Sequence, residues 1–305
     1  MTKTRTEPAE SGIVLVDKPA GLTSHQLVGR IRRLAGTRKV GHAGTLDPMA
    51  TGVLVIGIER ATRLLGHLTL NEKAYRATIR LGISTVTDDA EGEITRTAGA
   101  VDLDESLLQQ QIAALTGEIR QVPSSVSAIK INGVRSYARV RSGEQVELAA
   151  RPVTVSRFDL LSRHDHGVAT SSGSRIDVVD LDVDVTCSSG TYIRALARDL
   201  GSALGTGGHL TSLRRTRSGV FGIDQARTLE QLETDLGVIG IDTVAARLFP
   251  VVRLDEQQAA WVRNGRRLVG LDLAELSALF APDGRFLALY RSSDGDAVPE
   301  AVFAS

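Results

Sequence analysis

The sequence predicts a mixed α+β protein centred on a sheet, and three observations carry that reading. Residues 53–58, "VLVIGI", form an almost purely apolar run of strand length. Residues 73–85 and 176–187 alternate apolar and polar side chains with the period of two that a half-buried strand requires. Between them lie segments whose apolar residues recur three and four apart, the stripe of a surface helix.

In chain order, "GIVLVDKPAGLTS" opens with a short strand over 13–16 that enters a Pro/Gly turn at 18–21. "SHQLVGRIRRLAG" spaces Leu27, Ile31 and Leu34 as a helix, with Thr23 or Ser24 as N-cap and Gly36 as stop. A Gly-rich loop holding Asp47 leads into the apolar strand 53–58. In "EKAYRATIRLGIST", Tyr75, Ala77, Ile79 and Leu81 share one face of a strand, and a helix follows over 104–115. Residues 123–152 lack a continuous apolar face and read as a protruding basic insertion with a short helix. Residues 163–175, "RHDHGVATSSGSR", read as a turn-rich, disordered loop. "GTYIRALARDLGSALG" is a helix with Ile193, Leu196, Ala197, Leu200 and Leu204 inward, and with Arg194 and Arg198 together on another face. Near 245–251 the pattern changes to short strands and the turn "VRNGRRL". The expected division is a flexible tail over 1–11, a main domain over 12–245 and a small β-rich domain over 250–305.

Length and composition fit a globular chain: 305 residues, 42% hydrophobic and 24% charged, with 36 basic and 36 acidic residues. The balance hides local asymmetry. Residues 1–50 carry eight Lys/Arg against four Asp/Glu, residues 120–151 six against two, and residues 190–217 five against one. Such clusters suit a polyanion, although solvated faces would look the same. The single Cys187 excludes an internal disulfide and a Cys-based zinc site, so a reducing, cytoplasmic location is expected. No signal-peptide core and no membrane-length apolar run is present, and a monomer is the default.

Several familiar chemistries are absent from the sequence. It has no P-loop, no HExxH and no GxSxG elbow. "GSALGTGGHL" follows a helix rather than a strand, which is the wrong placement for a dinucleotide fingerprint. Cys187 at a strand end reads as a small buried hydrophobe rather than a nucleophile. The close histidines, His164 and His166, fall in the turn-rich stretch, and no metal or cofactor is expected. Asp47 remains. An Asx-turn before Pro48 would explain it, but His42 and Thr45 crowd the same turn, and the strand behind it supplies a rigid support.

The stretch "GHAGTLDPMATGVLVIGIERATR" resembles the catalytic motif of the TruB family of pseudouridine synthases. "VDKPAGLTSH", "KAYRATIRLG", "VPSSVSAIKINGVRSYARVRSG", "CSSGTYIRALARDLG" and "GGHLTSLRRTRSG" resemble its other motifs, in the same order and over roughly residues 12–225. The resemblance implies the pseudouridine synthase fold: a largely antiparallel central sheet with flanking helices and an RNA-gripping insertion. It also implies a small PUA-like C-terminal RNA-binding domain, resembled here through the "RNGRRL" turn. The implied activity is isomerisation of the uridine at tRNA position 55, in the TΨC loop.

The resemblance assigns roles residue by residue. Asp47 would be the nucleophile or base, and Arg194 the arginine that keeps it charged and oriented, because burial alone disfavours a carboxylate. Tyr75 would stack on the uracil and share in proton removal. His42 would fill the space left by the flipped base, with Thr45 beside it and Tyr192 and Leu213 lining the pocket. Lys18 would support the loop or meet phosphate. Lys130, Arg135, Arg139 and Arg141, with Arg214, Arg215 and Arg217, would track the RNA backbone and make binding salt-dependent. The reaction moves no electrons overall and consumes no water, so it calls for neither metal nor redox cofactor. The competing reading is a non-catalytic RNA-binding or tRNA-folding protein, which would keep the basic clusters without needing Asp47.

Overall fold

The computed structural model describes residues 10–124, 130–131, 134–135, 148–169, 173 and 175–304. The first third carries β1 (Gly12–Lys18), β2 (Val40–Ala43), β3 (Thr51–Ile58), β4 (Lys73–Leu81) and the small pair β5 (Ile83–Thr85) and β6 (Ile94–Thr97). β7 (Gly117–Gln121) and the short hairpin β8 (Lys130–Ile131) and β9 (Val134–Arg135) follow. Two long strands come next, β10 (Arg151–Ala169) and β11 (Arg175–Cys187). β12 (Gly208–Ser218), β13 (Phe221–Gly222) and β14 (Ile239–Gly240) complete the main body. β15 (Val251–Arg253), β16 (Ser277–Phe280), β17 (Phe286–Ser293) and β18 (Asp296–Val302) form a separate C-terminal sheet. The helices are α1 (Ser24–Leu34), α2 (Leu65–Thr69), α3 (Glu105–Ala114), α4 (Ile193–Ala203), α5 (Leu229–Thr234), α6 (Ile241–Leu248) and α7 (Glu256–Arg263). None among the described residues is long and apolar enough to cross a membrane.

The central sheet has ten strands, eight of them in the order β14–β1–β3–β12–β4–β11–β10–β7, with β2 on β3 and β13 on β12. Every pairing in it is antiparallel except one. β12 runs parallel to β3 through Arg214↔Thr51 and Arg215↔Gly52, which joins the first and last thirds of the main body. The approach is close because Gly52 has no side chain: a Cβ there would lie 2.2 Å from the Arg215 carbonyl oxygen, and its φ is +100°.

Two apolar layers sandwich part of this sheet. Val14, Val16, Leu54 and Ile56 face one core with α1 and α4, whereas Ile13, Leu15, Val53 and Val55 face a second core with α2, α6 and the C-terminal sheet. A strand buried on both faces can afford no polar positions, so 53–58 is almost purely apolar. β4 and β11 are covered on one face only and alternate accordingly. Helix α1 begins where the sequence indicates, with Thr23 capping Gln26 in a reciprocal capping box.

The expectation of a disordered loop over 163–175 is overturned for residues 163–169 and 175, the remainder lying largely outside the described residues. β10 and β11 pair through it, from Arg163↔Leu181 to Ala169↔Arg175. The polar residues that suggested a loop are cross-strand partners on an open sheet face: His166 lies 2.9 Å from Asp180, and Ser162 donates to Asp182. Within the basic insertion the described residues are 123–124, 130–131, 134–135 and 148–152, and the backbones of Lys130 and Arg135 pair in β8–β9. Arg139, Arg141 and the expected short helix lie outside the described residues.

Candidate active site

The Asp47 loop is tied down on both sides of its carboxylate. Ser24 Oγ donates to the Leu46 carbonyl and accepts from the Leu46 amide, at 3.1 and 2.9 Å. Lys18, fully buried, donates to the carbonyls of Pro48 and Ala50 at 3.1 and 2.6 Å. Gly21 donates its amide to Pro48. From below, Arg215 donates to the carbonyls of Gly44, Thr45 and Val53. With six carbonyls of the 44–53 stretch held by two buried cations and a serine, Asp47 is presented on a fixed support.

Arg194, in the first turn of α4, meets Asp47 edge-on. Its Nε lies 3.0 Å from Oδ2 and its Nη2 donates to Oδ1 at 3.3 Å. The arginine side chain is only 4% exposed while the aspartate's is 35% exposed, so the pair sits at the cavity wall with the acid facing outward. The i,i+4 partner Arg198 does not share this environment: α4 turns Arg194 inward, whereas Arg198 bridges Asp88 and Asp199. Behind Arg194 stands a residue the sequence reading missed. Asp89 is buried and its Oδ2 lies 3.5 Å from Arg194 Nη1, which also donates to the Thr87 carbonyl at 2.8 Å. Asp89 in turn accepts from the Thr87 hydroxyl and the Glu91 amide. Such a chain orients the guanidinium for Asp47.

The Asp47–Arg194 pair opens onto a cavity of about 240 Å³, sized for a small planar ring. Tyr75, Leu213, Thr45 and Tyr192 line it as expected, joined by Lys73 and Arg215. Tyr75 lies directly opposite Arg215 in the β4–β12 ladder, and burial pushes its phenol up from the ordinary value. The main chain of Tyr192 is clamped by Gln121, which accepts from its amide at 2.8 Å and donates to its carbonyl at 3.0 Å. His42 is half-buried in β2 and does not line the cavity; burial, then Arg215, hold its imidazole below the usual pKa.

Of the basic residues expected to track the RNA backbone, Arg215 is placed otherwise. Lys18 holds the loop from inside, and burial brings its ammonium down to about 8. Arg215 is fully buried under the cavity because neighbours on a strand point to opposite faces, so the "RR" doublet is split. Its partner Arg214 faces outward, in a two-pronged ion pair with Asp17 at 2.7 and 3.0 Å. Arg217, also outward, pairs with Glu72 at 2.8 Å.

Comparison with known proteins places the chain in a family. Residues 32–193 match the model of the TruB family pseudouridylate synthase N-terminal domain. Residues 194–248 match the tRNA pseudouridylate synthase B C-terminal domain, and residues 249–304 the C-terminal domain of tRNA pseudouridine synthase II. The tRNA pseudouridine synthase B of Arthrobacter sp. (strain FB24) is 58% identical over 303 residues, covering 96% of this chain and 97% of its own. That of Streptomyces griseus is 54% identical over 305 residues and covers both chains completely. Among solved structures, a Cbf5–Nop10–Gar1 complex matches with a TM-score of 0.68 and 27% identity, over 96% of this chain and 84% of the other. The fold and these matches agree: the chain belongs to the TruB family of pseudouridine synthases.

Proposed function

We propose that the protein isomerises the uridine at position 55, in the TΨC loop of tRNA, to pseudouridine, with Asp47 as nucleophile or base on a flipped-out nucleotide. The observation that carries the reading is the Asp47–Arg194 pair at the mouth of a cavity sized for one base. Heterolysis of the N1–C1′ bond leaves the electron pair on uracil. Asp47 either bonds to C1′ and is displaced when C5 attacks, or takes a proton from the sugar and returns it as the C5–C1′ bond forms. N1 gains a proton as C5 loses one. The base turns over, C5 joins C1′ and the C5 proton leaves. Atoms are conserved and no co-reactant is required. Arg194 keeps Asp47 charged and oriented, Tyr75 and Leu213 give the ring flat apolar neighbours, and Tyr192 closes the wall. Extrusion of the base costs a few kcal/mol, which contacts in this cavity must offset.

The test is tritium release from unmodified tRNA labelled at uridine C5. Wild type is expected to release label, Asp47→Ala to be slower by a factor of about 100 or more, and a transcript with cytidine at position 55 to release none from that site. A wild-type protein that binds tRNA yet releases no tritium would be an RNA-binding protein without this activity, and the proposal would fall.

A further inference from the structure

Lys73 stands out among the cavity residues because, among the described residues, it is held by carbonyls and by no carboxylate. The period of β4 places it on the same face as Tyr75, and both line the cavity. It is 6% exposed. Its Nζ donates to the carbonyls of Thr69 and Asn71 at 2.9 and 2.8 Å, which leaves one of three N–H donors for another partner. Its stem passes Gly44, where an added Cβ would lie 3.3 Å from Lys73 Cε and 3.6 Å from Arg215 Nη1. Two buried cations therefore meet beneath one glycine, and among the described residues both are held by carbonyls rather than carboxylates. Burying a cation in this way is unfavourable unless an anion comes to it.

The proposed reaction brings one. When the N1–C1′ bond breaks, both electrons stay with uracil, and the charge spreads over N1, O2 and O4. Asp47 cannot stabilise that anion, and Arg194 is committed to Asp47 and Asp89. We propose that Lys73, backed by Arg215, is a catalytic residue that stabilises the uracil anion detached from the ribose; the proposal rests on the function given above. The charge disappears when C5 supplies the pair that forms the C5–C1′ bond; the later loss of the C5 proton is matched by protonation of N1, so the product is neutral.

The groups facing Lys73 keep its ammonium charged at neutral pH but not far above it. Burial, then Arg215 on β12, bring it down to about 8. Cys187, its partner across on β11, is pushed up to about 11 by burial and stays a neutral thiol. Tyr75 is held protonated by burial, and the neighbouring Glu72 is engaged by Arg217 and Ser156. Stabilisation of an anion by Lys73 should then fade as pH rises through about 8.

The experiment is single-turnover pseudouridine formation, with enzyme in excess over unmodified tRNA, for wild type, Lys73→Met and Lys73→Arg from about pH 6.5 to about pH 9.5. The tRNA affinity of each is measured alongside. Expected results are a Lys73→Met rate at neutral pH lower by about tenfold or more with affinity unchanged, and a wild-type rate that falls above about pH 8. Lys73→Arg should keep most of the rate and lose that fall; any alkaline effect of the RNA itself is common to both proteins. Lys73→Met at the wild-type rate, Lys73→Arg no faster than Lys73→Met, or an unchanged fall in Lys73→Arg would each overturn the role. Should Lys73→Met not fold, the Lys73→Arg profile decides. Wild type that binds tRNA and makes no pseudouridine fails at the level of the function itself, a different result from any of these.

Discussion

At the scale of single residues, the site is a line of alternating charge, Asp47–Arg194–Asp89, capped by Thr87. Asp47 and Arg194 were legible because each stands in a distinctive motif. Asp89 was not, because "TDDAEGE" has the composition of a solvated turn; only burial by α4 reveals its use. Removing Arg194 leaves Asp89 buried without its guanidinium, a loss of about 3–5 kcal/mol. Against a total of about 5–15 kcal/mol, the protein should remain folded with a lower Tm. Arg194→Ala is therefore predicted to slow turnover at least about tenfold while still giving a cooperative melt, and Asp89→Asn to slow it in the same direction; turnover near wild type in both would remove the line from the mechanism. Lys18 and Lys73, ordinarily near 10.5, are both brought down to about 8 in the fold. The unfolded chain then binds more protons between those values, so each contributes stability that increases as pH rises from about 8 toward 10.5. Thermal melts should show wild type gaining on Lys73→Met over that range, and a constant gap would contradict the lowered value.

At the scale of elements, the parallel seam between β3 and β12 decides where the site is. It brings Arg215 beneath the Asp47 loop, and it depends on Gly52. Gly52→Ala combines a contact at 2.2 Å with a φ of +100° and should destabilise by about 3 kcal/mol or more. Gly66→Ala, in α2 with nothing within 4 Å, should change the melting temperature little. Equal effects of the two would show that the seam tolerates a side chain. The alternating strands and the capped helices could be read from the sequence because local pattern and final environment agree. The seam could not, because two residues per strand in register leave no periodic trace. The arm over 163–169 misled for the opposite reason: its polar side chains meet acids of the neighbouring strand on an open sheet face, so a paired strand carries a loop's composition.

At the scale of the whole molecule, the C-terminal sheet is not a free appendage. Ala278, Phe280, Phe286, Leu289 and Phe303 share a core with Ile13, Leu15, Val53 and Val55 of the main sheet. Arg60 donates to the Phe303 carbonyl at 2.9 Å, and the Arg63 guanidinium lies 4.9 Å above the Phe303 ring. At about 1.5–3 kcal/mol each, the three phenylalanines alone account for about 5–9 kcal/mol of burial, comparable with the stability of a whole domain. Deletion of residues 250–305 is therefore predicted to give an aggregating or strongly destabilised protein, measured by solubility and Tm. A soluble truncated protein with wild-type melting would show that the shared core is dispensable. A change of pattern near 250 is visible in the sequence, but the shared core is not, since β1 and β3 look the same whichever element covers their second face.

Arg215 also sets a clock. The Asp47 loop is synthesised early, yet the guanidinium that holds its Thr45 carbonyl lies 170 residues later in the chain. At ribosomal rates of about 5–20 residues per second, the loop waits roughly 8–34 seconds for its support. The nascent chain can bury β1 against β3 during that interval, but it has no finished catalytic centre until β12 has emerged and docked between β3 and β4. Activity is thereby confined to chains whose main sheet is already closed.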